Sequence, residues 1–451
     1  MDKPIENKMG TKPIFSLLMA MSLPAMVSML IQSLYNIVDS MFVARISEDA
    51  LTAVSLAFPI QNLIIAVSVG TGVGMNSLIS RRLGEKRFDE ANSSITHGFI
   101  LTAIHSILFI ILGLILIKPF FEMFTSSQNV IKLGCDYTYV VTLVSFGCLF
   151  HILVEKILQA TGKMIYPMIF QAVGAIINII LDPILIFGLL GAPALGVTGA
   201  AIATIIGQIS AMALSVIVFL TQKHEVKIKI KGFKFNIETV KDIYAVAIPS
   251  TIMYSLGSIL VIGINAILVQ FSNLAVALFG IYFKLQSFIF MPVNGLIQGA
   301  MPIMGYNFGA KNKKRLLKTL KAAILVSSII SILGTILFVA FPNQLLLMFD
   351  ASKDMLSIGP MCLGIISTSY VFASICFMYC TIFQAIGKGF YSLIISLLRQ
   401  GAIIIPLSFI LAKPLGLIGV WITFPIAEII STIVSILMFK HLNKTILSKL
   451  D

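Results

Sequence analysis

SLPAMVSMLIQSLYNIVDSMFVARISEDALTAVSLAFPI, residues 22–60, is an apolar run, a short charged turn with Arg45, Glu48 and Asp49, and a second apolar run. A helix rising about 1.5 Å per residue crosses roughly 30 Å of hydrocarbon in roughly 20 residues. Both runs have that reach, and so short a turn joins them as antiparallel neighbours. The alternation continues along all 451 residues, of which 58% are hydrophobic and 11% charged. Mean hydropathy is +1.00, whereas soluble domains are roughly a quarter charged. Working outward with the same window places about twelve spans, near 14–43, 51–79, 94–118, 133–158, 165–189, 196–221, 242–270, 275–305, 316–341, 355–385, 389–412 and 416–439. The first is too long and too often interrupted by polar groups to be a cleavable signal, and reads as a permanent span. The chain is expected to be an all-α polytopic membrane protein.

The formal net charge of +13 excludes little until the basic residues are located. They lie between spans, with no nucleic-acid-binding pattern, so no nucleic acid partner is expected. If both termini are cytoplasmic, the inner segments hold about 24 Lys and Arg and the outer segments about 5. That asymmetry predicts a multi-pass protein of the cell membrane with both termini inside. Five cysteines, Cys135, Cys148, Cys362, Cys376 and Cys380, lie in or beside apolar stretches without a CxxC pair, which reads as helix packing.

The chain repeats itself. At an offset of 225, Pro24 matches Pro249, Gln61 matches Gln286, Gly70 and Gly74 match Gly295 and Gly299, and Gly84 and Lys86 match Gly309 and Lys311. Gln159-Ala160-Thr161-Gly162-Lys163 matches Gln384-Ala385-Ile386-Gly387-Lys388, and Leu195-Gly196-Val197-Thr198-Gly199 matches Leu415-Gly416-Leu417-Ile418-Gly419 at an offset of 220. Six spans per half is even, so the halves share an orientation and are related by an axis along the membrane normal. The expected division is an N-lobe over 1–225 and a C-lobe over 226–451, joined by a basic cytoplasmic linker at about 221–241. Substrate is expected at the interface of the halves, as in transporters built this way.

Ionisable groups inside a membrane are functional candidates by default. Only four acids fall well inside spans: Asp39, Glu155, Asp182 and Glu428. The first span carries Gln32, Tyr35, Asn36 and Asp39 as one polar stripe. The fifth carries Gln171, Asn178 and Asp182, and Pro183 frees the carbonyl of Ile179. The sixth offers Thr204 and Gln208. Carboxylate, amide and hydroxyl oxygens suit Na⁺, or a proton where burial favours the neutral acid. Packing hydrogen bonds between helices are the alternative for Asp39 and Asp182. Glu155 beside Lys156 reads equally as a snorkelling pair, Arg399 and Glu428 as an inter-helical ion pair, and Lys284 as bonded to carbonyls or facing a cavity. His97, His105 and His151 read as packing positions without ligand spacing. The chain has no G-x-x-x-x-G-K-S/T, H-E-x-x-H or nucleophile elbow, so it is not read as an enzyme or as driven by ATP.

The quoted segment resembles the first two helices of multidrug and toxic compound extrusion (MATE) transporters. RRLGEK, QATGK, NIILDPILIFG and GVTGAAIAT are similar to that family too, as are YNFGAKN, QAIGKG, RQGAIIIP and LGLIGVW in the second half. The resemblance runs from about Lys12 to Lys440. It implies two six-helix lobes arranged as a V around a central cavity, acting as a monomer that exports small amphipathic, often cationic, organic compounds against H⁺ or Na⁺, with no other cofactor. It also implies a cation site, for H⁺ or Na⁺, at Asp39, Asn178, Asp182 and Thr204, and it matches Glu155 to an acidic helix-four position of one bacterial branch. Gln32, Tyr35, Asn36, Glu155, Gln171, Gln208 and Lys284 are the candidate cavity residues. Relatives with coupling acids in helices seven and ten differ, because those spans lack interior Asp or Glu here. A flippase for a polyprenyl-linked saccharide is the alternative function.

Overall fold

The structure is a computed structural model and describes residues 7–450. Among the described residues the regular structure is helical throughout: α1 (Lys8–Thr11), α2 (Ile14–Ala44), α3 (Glu48–Gly84), α4 (Phe88–Phe124), α5 (Gln128–Leu143), α6 (Phe146–Ala160), α7 (Ile165–Phe187), α8 (Gly196–Thr221), α9 (Ile237–Leu268), α10 (Asn273–Gly309), α11 (Lys313–Ala340), α12 (Pro342–Leu347), α13 (Lys353–Ser367), α14 (Tyr370–Ala385), α15 (Gly389–Ser396) and α16 (Ile405–Thr445). A π-helical stretch, Leu397–Ile404, joins the last two.

The helices are inside out relative to a soluble protein. Along α4, Thr102, Ser106 and Gly113 are buried, while Ile107, Ile111, Leu114 and Ile115 are exposed. Apolar side chains turned outward in this way belong in lipid.

Among the described residues nine helices are long and apolar enough to cross a membrane. Two bent pairs, α5 with α6 at 44° and α13 with α14 at 40°, each complete one more span. The continuous stretch Gly389–Thr445 is 57 residues long and breaks at Gly416 (φ 62°, ψ −142°). Only glycine occupies that region of backbone space freely. The break separates the spans read at 389–412 and 416–439.

The repeat is visible in the backbone itself. Lys86 and Lys311 both take left-handed φ values, 59° and 54°, and so do Gly162 and Gly387 at 82° and 81°. Ser47 caps α3 through the Ala50 N–H, and Ser272 caps α10 through the Ala275 N–H. Ser127 and Ser352 cap α5 and α13 in the same way. Each pair stands 225 apart, so the turns and caps were duplicated with the spans.

Two compact units result, and they do not divide at the repeat boundary near 225. One is Val27–Thr251, and the other is Met1–Met26 with Ile252–Asp451. Small residues explain the exchange of helix ends. A Cβ on Gly74 would lie 2.4 Å from the carbonyl oxygen of Ile243, so the start of α9 packs directly on α3. In the other unit, a Cβ on Gly299 would lie 2.8 Å from the Ser22 nitrogen, so the start of α2 packs on α10. Such small-residue contacts replace the hydrophobic drive that lipid removes. Polar clamps hold the same ends. Arg315 donates to the Met9 and Lys12 carbonyls at 3.0 and 2.8 Å, and Asn307 donates to Met9 at 3.1 Å. Arg82 reaches Asp242 at 3.5 Å.

Gly74→Ala should therefore destabilise by about 1–3 kcal/mol, because the obstacle is backbone. Gly280→Ala meets nothing within 4 Å and should be neutral or stabilising by up to about 1 kcal/mol. Thermal unfolding in detergent compares the two, and equal melting temperatures would contradict the packing argument.

Candidate functional site

Tyr35 and Asp39 stand one turn apart near the end of α2, where the spacing of four keeps them on one face. Asn178 and Asp182 are likewise one turn apart on α7, and both are buried, as is Thr204 on α8. The structure brings these five together. Asp39 and Asp182 lie within hydrogen-bonding reach of each other. The Asn178 amide donates to Asp182 Oδ1 and to Thr204 Oγ1, both at 3.4 Å.

Two further residues complete the site, and periodicity did not reveal them. Tyr137 on α5 is buried, and its hydroxyl accepts from Gln61 Nε2 on α3 at 2.9 Å. Tyr35 and Tyr137 both lie beside Thr204. Gln61 entered the sequence reading only as a repeat position. Tyr137 sits on an amphipathic helix among other apolar residues, so its only signal is a hydroxyl inside a span.

Three buried oxygens face this cluster without a partner among the described residues: Asp39 Oδ1, Asn178 Oδ1 and Asp182 Oδ2. A buried acceptor left unmatched costs about 1–3 kcal/mol, and three together form a shell for something that brings positive charge. Two carboxylates, an amide and hydroxyls are hard oxygen donors, able to hold Na⁺ or to share a proton. Among the described residues no three His, Cys, Asp or Glu side chains come together.

The other candidates separate from this centre. Gln32, Gln171 and Gln208 are half-buried and Asn36 is exposed; among the described residues none hydrogen-bonds to the carboxylate pair. Glu155 belongs to a different cluster on α6, bonded to Lys156 Nζ at 2.9 Å and Gln159 Nε2 at 2.8 Å. That pair is buried rather than snorkelling. Lys284 on α10 is exposed. Arg399 and Glu428 do form the inter-helical ion pair, at 3.5 Å, with the guanidinium 4.7 Å from the Phe377 ring centre. His97 and His105 make structural bonds, to Ser93 and Tyr244.

Known families give this geometry a context. The MatE family profile matches twice, at residues 24–184 and 249–410, with both matches beginning on the repeated prolines. The chain belongs to the MatE family of membrane transporters. It is 31% identical over 435 residues to the multidrug export protein MepA of Staphylococcus aureus strain MSSA476, covering 94% of this chain and 93% of that one. Identity to MepA of Staphylococcus haemolyticus is 32% over 425 residues, covering 92% and 91%. Among solved structures it resembles a MOP superfamily transporter from Pyrococcus furiosus, with TM-score 0.92, 26% identity and coverage of 100% and 99%. An outward-facing multidrug resistance MATE transporter gives the same values.

If Tyr137 is a structural strut of the site, Tyr137→Phe leaves Gln61 Nε2 unpaired and should cost about 1–3 kcal/mol. Pairing it with Gln61→Leu should recover part of that loss. A double-mutant cycle read by thermal unfolding measures the coupling, and strict additivity would refute it.

Proposed function

We propose that the protein is a cation-coupled antiporter that exports small amphipathic organic compounds, with H⁺ or Na⁺ exchanged at the Asp39–Asp182 pair. The observation that carries this reading is the three unpartnered buried oxygens of Asp39, Asn178 and Asp182. Two like charges in low dielectric repel, and one bound cation relieves most of that repulsion. Kinship to multidrug export proteins supports the substrate class, and the excess of basic residues in the assigned inner segments supports export from the cytoplasm. A flippase for lipid-linked saccharide needs free cations to hold diphosphate. Arg399 is neutralised by Glu428, and Lys284 alone is thin support.

The mechanism follows from α2. Its start belongs to one unit and Asp39 to the other, with Pro24 close to the crossing. Proline removes a helix hydrogen bond and permits bending there. Neutralising the carboxylate pair lets the outer part of α2 repack and weakens the hold on a cationic substrate. Returning substrate then favours cation release, since coupling is reciprocal.

Efflux from proteoliposomes under separately imposed pH and Na⁺ gradients tests the function and separates the two ions. Asp182→Asn keeps shape but removes charge, so it should abolish gradient-driven efflux at normal expression and melting temperature; undiminished efflux would sink the ion site. Affinity for a cationic ligand should fall as pH falls or Na⁺ rises, and Asp39→Asn should remove that dependence. Cysteines placed at Lys229 and Lys313 should react with an impermeant thiol reagent from the cytoplasmic side alone, and external labelling would reverse the orientation.

A further inference from the structure

The chain between α8 and α9 reads VKIKIKGFKFN over residues 226–236, and it is not a slack connection. Its backbone is pinned along α4. Asn92 Oδ1 accepts from the Lys227 N–H at 2.7 Å. Thr96 Oγ1 accepts from the Lys229 N–H at 2.9 Å and lies 3.2 Å from the Lys229 carbonyl oxygen. His97 Nε2 accepts from the Asn236 N–H at 2.8 Å, and Phe233 and Phe235 pack on the same imidazole. The start of the linker is tied as well: Lys163 Nζ donates to the Lys223 carbonyl at 2.7 Å and bonds the His224 ring at 3.0 Å. Burial holds that ring's pKa below its ordinary value, consistent with a neutral imidazole there.

Pinning turns a particular set of side chains outward. Lys227, Lys231 and Lys234 are exposed, and between them Ile230 is 80% and Phe235 56% exposed. Lys229 meets an acid in this cluster, Asp89 at 3.7 Å. A cleft of about 530 Å³ opens between the ribbon and α4, lined by Asp89, Asn92, Lys227, Lys229, Ile230 and Lys231.

Depth decides what such a surface meets. The span read near 94–118 opens on the polar residues Ser94, Thr96 and His97, and its densely apolar part begins at Phe99. At about 1.5 Å per residue, Thr96 lies roughly 5 Å and Asn92 roughly 10 Å short of it along the helix. That places the ribbon at the level of lipid headgroups rather than in bulk water. Aliphatic and aromatic side chains interleaved with lysines suit that zone, since the rings and methyls enter the acyl boundary while the ammonium groups meet phosphate.

We propose that residues 227–235 form a binding site for anionic phospholipid headgroups in the leaflet they face. The lysines supply charge complementary to the phosphodiester, and Ile230 and Phe235 supply the apolar contact that distinguishes a lipid from a free anion. The site requires membrane insertion but neither the direction of transport nor the identity of the coupling ion.

Hydrogen exchange on the intact protein in nanodiscs tests it. Residues 230–235 should exchange several-fold more slowly in phosphatidylcholine mixed with phosphatidylglycerol than in phosphatidylcholine alone. Each surface lysine contributes roughly a five-fold preference for anionic lipid, so the triple variant K227Q/K231Q/K234Q should lose the difference while melting as the wild type does. Equal exchange in the two lipid mixtures overturns the proposal, as does protection that survives in the triple variant. Protection by soluble glycerol phosphate in phosphatidylcholine discs equal to that by phosphatidylglycerol also overturns it, because the ligand is then a free anion. Both faces of a nanodisc are accessible, so a reversed orientation in cells leaves this result unchanged.

Discussion

Inside hydrocarbon a backbone N–H or C=O has no water to turn to, and each one left unpaired costs several kcal/mol. Among the described residues the spanning segments are accordingly helices, and several departures from helix recur in both halves. The bends between α5 and α6 and between α13 and α14 recur at the same repeat position, as does the left-handed turn at Lys86 and Lys311. The same constraint gives meaning to side-chain oxygens. Many buried serines and threonines bond back to their own helix, as Ser68 does to Ile64 and Ser106 to Thr102. Asp39, Asn178 and Asp182 keep oxygens that do not.

Much of this was legible because punctuation is local. Gly162 and Gly387, Gly84 and Gly309, Pro24 and Pro249 announce the repeat without knowledge of any contact. The pairs Tyr35–Asp39 and Asn178–Asp182 were legible for the same reason, since a spacing of four fixes a common helix face. What helix joins them was not written in any spacing. Tyr137 and Gln61 reach the site from α5 and α3, 76 residues apart in the chain. The role of Lys156 and Gln159 around Glu155 depends on which face of α6 is buried, and only packing decides that. The compact units were also hidden. Gly74 and Gly299 are visible as small residues, but nothing in the sequence names the helix each one receives.

The exchange of helix ends links the two halves of the chain covalently and structurally. Arg315 and Asn307 hold α1 and the residue Lys12 that leads into α2, and the start of α2 itself approaches Gly299 closely, all within one unit. Its later part carries Tyr35 and Asp39 in the other unit. A helix fixed at one end and charged at the other is suited to convert a local change of charge into displacement, which is how the proposed antiport uses it.

The same exchange sets an order on biosynthesis. Ser22 leaves the ribosome early, yet Gly299, the residue it packs against, follows roughly 280 residues later. At about 5–20 residues per second, that delay is on the order of 14–55 s. During this interval the start of α2 is in the membrane without its partner, while Val27 onward is already free to assemble with α3 to α8. The unit containing residues 27–251 can close before Gly299 is made, whereas the start of α2 waits for α10. A chain truncated before Gly299 would leave Ser22 and the start of α2 without the surface they pack against.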